Sequence, residues 1–197
     1  MKIADFFPQR PSRIMDSQRA RPRKPTANWR RRMYLHAEQL PLTHIMECFG
    51  DHYTVVDGSS ERASQYDYCL EFTSEFPPGF EDMVQLLTDA LCLPPEEPLD
   101  LALALDRYKV PDDDLPATAW ANTEIGELVH RAKYYKSSPG LQEAARETLA
   151  ERLAGAIQSH PAYWRAPYLV SVPGRPETVR ALARSSRGLF PRGQASA

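Results

Sequence analysis

The sequence predicts a mixed α/β fold, on three observations. Apolar residues recur at helical spacing in several segments, short aromatic and β-branched runs are bounded by turn compositions, and the last third alternates helix, strand and turn. The expected architecture is a single domain with a helical N-terminal half and an incomplete parallel-sheet unit near the C-terminus. At 197 residues the chain has room for one sizeable core and a tail.

Residues 1–28 read as a basic tail that begins with a short apolar peptide. Within it, residues 8–28 combine Pro, Arg, Ser and Gln with little apolar content, which predicts a flexible linker. Residues 29–117 read as a helix-rich acidic region. There Met33, Ala37, Leu40, Ile45 and Phe49 recur every three to five residues, predicting two short helices broken near Pro41. His52–Val56 and Tyr66–Phe72 read as two strands, antiparallel if paired, around the turn composition Asp57-Gly58-Ser59-Ser60. Phe80, Val84, Leu87 and Leu91 share a helical face after Pro77-Pro78-Gly79, and Leu99–Tyr108 reads as another short helix.

Residues 118–185 hold the clearest helices, Thr123–Lys136 and Leu141–Ile157. The second has a stripe of Leu141, Ala145, Leu149, Leu153 and Ile157 opposite Glu143, Glu147 and Glu151. Tyr168–Val172 reads as an apolar strand ended by Pro173-Gly174, with a further helix at Pro176–Ser185. Residues 186–197 read as a second tail.

The net charge of −2 conceals a sorted distribution. Residues 1–32 carry ten Lys/Arg against two acids, residues 33–127 three against twenty, and residues 128–197 eleven against four. An acidic middle repels nucleic acid, so such contact is expected only weakly and through the basic ends. The longest apolar stretch, Leu99–Leu105, is interrupted by Asp100 and falls far short of the ~20 residues a membrane span needs. Cys48, Cys69 and Cys92 fit neither a disulfide framework nor a paired-cysteine zinc site, and the expected location is the cytoplasm.

His44, Cys48 and His52 lie four apart, a spacing that aligns three ligands on an unbroken helix. Gly50 interrupts that helix, so no metal site is expected. Arg30-Arg31-Arg32 beside Trp29 and Tyr34 reads as a solvated basic helix start ahead of a phosphate or base platform. Tyr163-Trp164-Arg165 reads as an aromatic lid on the core. No Walker A sequence, dinucleotide fingerprint or Gly-x-Ser-x-Gly elbow is present.

The run from Thr123 to Tyr134, the Leu141–Ile157 helix, Tyr168–Val172 and Pro173-Gly174-Arg175-Pro176 follow one another in a telling order. In order and rough spacing they resemble the phosphoribosyltransferase family, most closely its ComF-like branch. The resemblance covers about a third of the chain. It implies that Pro173, Gly174, Arg175 and Lys133 form the phosphate side of a site for phosphoribosyl diphosphate with Mg²⁺, the turn offering backbone N–H groups at a helix N-terminus. The family's acidic-acidic-Thr-Gly loop has no counterpart after Val172. Asp112-Asp113-Asp114 with Thr118 lacks the preceding strand and the glycine. The resemblance therefore implies a domain that stops before its substrate loop and is inactive alone.

At the other end, Ile3-Ala4-Asp5-Phe6-Phe7 resembles the apolar core of the sliding-clamp-binding peptide, without that peptide's leading Gln. One 3₁₀ turn would place Ile3, Phe6 and Phe7 on a single face as a plug for an apolar pocket. Two function classes follow. One is an incomplete phosphoribosyltransferase-like protein; the other is a non-enzymatic adaptor in DNA metabolism, recruited to a sliding clamp through that peptide.

Overall fold

The structure is a computed structural model and describes residues 11–20, 30–56, 65–95 and 99–170. It is mixed α/β, as expected, and its residues divide into two compact units. Unit 1 comprises residues 1–107 with 159–164, and unit 2 comprises 108–158 with 165–197.

Unit 1 is built on a four-stranded sheet in the order β1-β2-β4-β3. Its strands are β1 (Ile14–Arg19), β2 (Arg31–Ala37), β3 (Tyr53–Val55) and β4 (Tyr68–Phe72). Period-two alternation sorts the two central strands. Met33, Leu35 and Ala37 of β2 join Leu70 and Phe72 of β4 in the core, while Arg32 stands opposite Glu71 and Tyr34 opposite Cys69 on the other face. Two helices cover the core face: α1 (Gln39–Phe49) and α2 (Phe80–Asp89).

α2 starts where Pro77-Pro78 ends the preceding segment and Gly79 adopts φ +80, a left-handed conformation that favours glycine. That turn points Phe80 inward, where its ring packs at 4.7 Å from Phe72, 5.3 Å from Phe76 and 5.5 Å from Phe49. A second, two-stranded sheet pairs β5 (Leu91–Leu93) with β6 (Ala102–Ala104). Unit 1 also contains α5 (Pro161–Trp164).

Several expectations are corrected here. Every strand pairing among the described residues is antiparallel, so the expected parallel-sheet unit is not borne out. Part of the expected flexible linker is β1, whose backbone is satisfied by β2 and by the exchange between Ser12 and Cys92 (N···O 3.0 and 2.7 Å). The segment 31–37, expected as helix, is β2, because Met33 and Leu35 face Leu70 and Tyr68 on β4 and Ala37 faces Ile14 on β1. Part of 99–108, also expected as helix, is β6, held by its ladder to β5. Tyr168, Leu169 and Val170 are exposed and lie in no strand, while 171–172 and the expected helix at 176–185 fall outside the described residues. The expected antiparallel pairing of the strands around residue 58 is present as β3 with β4.

Unit 2 contains α3 (Glu124–Tyr134) and α4 (Pro139–Ser159, whose last residue belongs to unit 1), both close to expectation. Thr123 caps α3 by accepting the Gly126 N–H at 2.9 Å, and Arg131 donates to Glu127 one turn away. The loop before α3 is organised by its own polar groups. Trp120 Nε1–H donates to the carbonyls of Asp112 and Leu115, and Lys109 Nζ to those of Ala117 and Thr118. Arg152 pairs with Glu124 at 3.0 Å, joining the two helices. Among the described residues, no helix is long and apolar enough to cross a membrane.

Candidate functional site

The most unusual chemistry in the chain lies inside unit 1. α1 turns Leu40, Ile45 and Phe49 into the core and carries His44 in with them, leaving that imidazole 2 % exposed. His160 is fully buried, at 0 %, although it lies 116 residues further along the chain. His44 Nδ1 and His160 Nε2 are 3.0 Å apart, with the rings edge-on at 5.3 Å. Cys48, one turn after His44 and half-buried, places its Sγ 4.0 Å from His160 Nδ1. Tyr163 of α5 stacks on the His160 ring at 4.2 Å.

Burial pushes both imidazoles down to about 4, since a charged ring loses its hydration there. Both rings are therefore neutral at pH 7, with two protons shared among four nitrogens. Backbone groups oppose that shift, Ala102 at His44 and the ring's own backbone at His160, each favouring the protonated form by a hydrogen bond. Of the two facing nitrogens, His44 Nδ1 and His160 Nε2, one donates and the other accepts, and the Cys48 thiol lies within reach of His160 Nδ1. The result is an uncharged cluster of Cys48, His160 and His44. Burial also pushes the Tyr163 phenol and the Cys92 thiol up to about 12.

The two nitrogens of His160 address partners on opposite sides of the ring, which gives His44 and Cys48 no common metal position. No group of three metal-ligating side chains occurs among the described residues. Of the sequence trio, His44 and Cys48 join this cluster. His52 lies apart, exposed on the 3₁₀ turn after α1 and edge-on to Phe49. His160 was missed because nothing local marks it as the partner of a residue on α1.

The basic run at the start of β2, Arg30 to Arg32, is committed to carboxylates. Glu71, 9 % exposed, accepts from Arg32 at 2.6 and 2.8 Å and from Arg30 at 3.1 Å, and Arg31 pairs with Glu75. The Arg32 hydrogen bond, helped by Arg30, holds the Glu71 carboxyl below its ordinary range. Tyr34 is buried and Trp29 lies outside the described residues, so the segment reads as a structural ion cluster. A cleft of about 190 Å³ borders Ser12, Arg13, Glu38 and Arg107. Its Arg13 already donates to Asp106 at 3.1 Å and to the Asp89 carbonyl.

The other expected site residues are not brought together. Lys133 is exposed in the last turn of α3, and Pro173, Gly174 and Arg175 lie outside the described residues, as do Ile3, Phe6 and Phe7. Tyr163 covers His160 as the aromatic-lid reading expects, whereas Trp164 is 57 % exposed. Comparison with known proteins found no matching family model, curated protein or solved structure.

Unit 2 presents a different feature. Its buried described residues are only Gly126, Ala145 and Ala154. Leu141, Leu153 and Tyr134 are at least half exposed, and Ile125, Leu128, Val129, Leu149 and Ile157 are half-buried. Helices whose large apolar side chains are this open leave much of their hydrophobic free energy unrealised.

Proposed function

We propose that the chain is an adaptor that docks on a DNA sliding clamp through Ile3, Phe6 and Phe7 and presents the α3–α4 surface to another protein. The observation that carries the reading is the open apolar face of α3 and α4, where no described side chain larger than Ala is buried. Large apolar side chains left this open, Tyr134, Leu141 and Leu153 among them, favour a protein-binding role for the helix pair.

The N-terminal peptide nominates the first partner by its chemistry. Phe7 lies only five residues before Ser12, which is fixed by its double hydrogen bond to Cys92. That spacing limits the peptide to a reach of ~17 Å from an anchored strand. A short tether costs less ordering entropy on docking than a long one. The basic residues that follow suit an acidic rim around the receiving pocket.

Isothermal titration of the full chain against the sliding clamp of the same organism tests this. Saturable heat is expected, abolished by the double substitution Phe6→Ala and Phe7→Ala, which removes both aromatic anchors. Absence of heat from the unsubstituted chain ends the clamp reading. A parallel titration with phosphoribosyl diphosphate and Mg²⁺ is expected to give none; tight binding there, weakened by Arg175→Ala, would restore the transferase reading.

A further inference from the structure

We propose that the His44–His160 pair is an acid-sensitive latch that holds residues 159–164 on unit 1 at neutral pH and releases them on acidification. The inference is independent of the clamp-docking reading and rests on how this short segment is attached. His160 is the only fully buried residue of 159–164, and α5 is a single turn of four residues of which Pro161, Ala162 and Tyr163 are half-buried and Trp164 is exposed. The attachment therefore depends on one imidazole seated against another at 3.0 Å and on the ring stack from Tyr163. A segment held by so few buried groups opens at lower cost than the sheet core beneath it.

Among the described residues, the surroundings offer a positive charge backbone acceptors but no carboxylate partner. From α1 the pair faces Cys48, from α5 Tyr163, which itself lies near Cys92 of β5, and from β6 the Ala102 backbone. Cys92 and Tyr163 stay protonated, and no carboxylate is hydrogen-bonded or ion-paired to either ring among the described residues. Adding one proton places an imidazolium against a second buried imidazole. The two rings can still share that proton along the 3.0 Å contact, but a second proton sets two cations against each other in an apolar site.

The sign of the effect follows from where the proton prefers to sit. A released imidazole titrates near 6.5, whereas each ring in place is held down to about 4. Between those values the released state binds more protons, so attachment is complete above about pH 7 and weakens as pH falls. From these values, release at pH 5 is favoured roughly 20-fold per histidine over pH 7, and several hundred-fold for the pair.

Amide exchange on the full chain at pH 7 and pH 5, corrected for intrinsic rates, reads this directly. Residues 159–164 are expected to lose protection by about two orders of magnitude while β4 keeps its own. In His160→Gln, which keeps a side-chain N–H for His44 but removes one titrating ring, the loss should shrink to the single-histidine scale. Should that variant not fold, imidazole proton resonances of the unsubstituted chain carry the test: neither ring should titrate near 6.5 while the segment is attached. Unchanged protection of 159–164 at pH 5, simultaneous loss across β4, or a ring titrating normally in the intact protein would each overturn the proposal.

Discussion

Replacing Gly126 with Ala sets two known effects against each other. Taken as a helix residue alone, glycine in the first turn of α3 is unfavourable, and alanine should stabilise by about 1 kcal/mol. The tertiary environment opposes this, because a Cβ at position 126 would lie 1.8 Å from the Tyr108 carbonyl oxygen and 2.8 Å from its carbon. Ordinary contact begins at 3.4 Å, so the two backbones must separate by about 1.6 Å, and neither is the tip of a flexible side chain. That separation breaks the Thr123 N–H to Tyr108 C=O bond, now 3.2 Å, and strains the neighbouring Val110 to Ala121 bond at 2.9 Å. Two backbone hydrogen bonds are worth about 0.5–1.5 kcal/mol each, and disturbing the Thr123 cap adds about 1. The steric side wins, with a net local destabilisation of about 1–3 kcal/mol. Amide exchange of α3 should accelerate roughly 5- to 150-fold, at 1.4 kcal/mol per tenfold. Gly155→Ala in α4 is the matched control, since its added Cβ meets nothing within 4 Å and should slow α4 exchange. Equal or greater protection of α3 in Gly126→Ala would refute the argument.

Other substitutions probe unit 1. Phe80→Ala removes a fully buried ring that touches Phe49, Phe72 and Phe76, and should lower the unfolding free energy in urea by about 3–5 kcal/mol; a loss under about 1 would mean this core is not packed as described. Glu71 has a depressed carboxyl value because Arg32 and Arg30 stabilise its charge, so its contribution is complete above the ordinary glutamate range near ~4.3 and is lost as pH falls through its own lower value. Urea midpoints followed from pH 7 into acid should fall less steeply for Glu71→Gln than for the unsubstituted chain, and parallel curves would remove Glu71 from the account.

Part of this protein was written in local signals. Pro77-Pro78-Gly79 ahead of Phe80, Thr123 ahead of the Ile125–Val129 stripe, and Ser138-Pro139 ahead of the long Ala/Leu helix each combine a start signal with apolar periodicity, and α2, α3 and α4 stand close to where those signals place them. β2 was ambiguous because Met33 and Ala37 satisfy a helical spacing as well as the period-two set Met33, Leu35 and Ala37. Pairing with Leu70 and Tyr68 on β4 and with Ile14 on β1 decided it. β1 was invisible to composition, since an edge strand with five exposed residues out of six draws its stability from hydrogen bonds to β2. The α3–α4 stripe was legible residue by residue, but its openness was not, because periodicity marks the face that wants burial and not whether anything covers it. The imidazole pair shows the limit most plainly. His44 and Cys48 announced themselves by spacing on one helix, whereas His160 reaches them only because the chain returns to unit 1 after α4. A contact across 116 residues is set by the summed burial of the whole core, and no short window of sequence contains that sum.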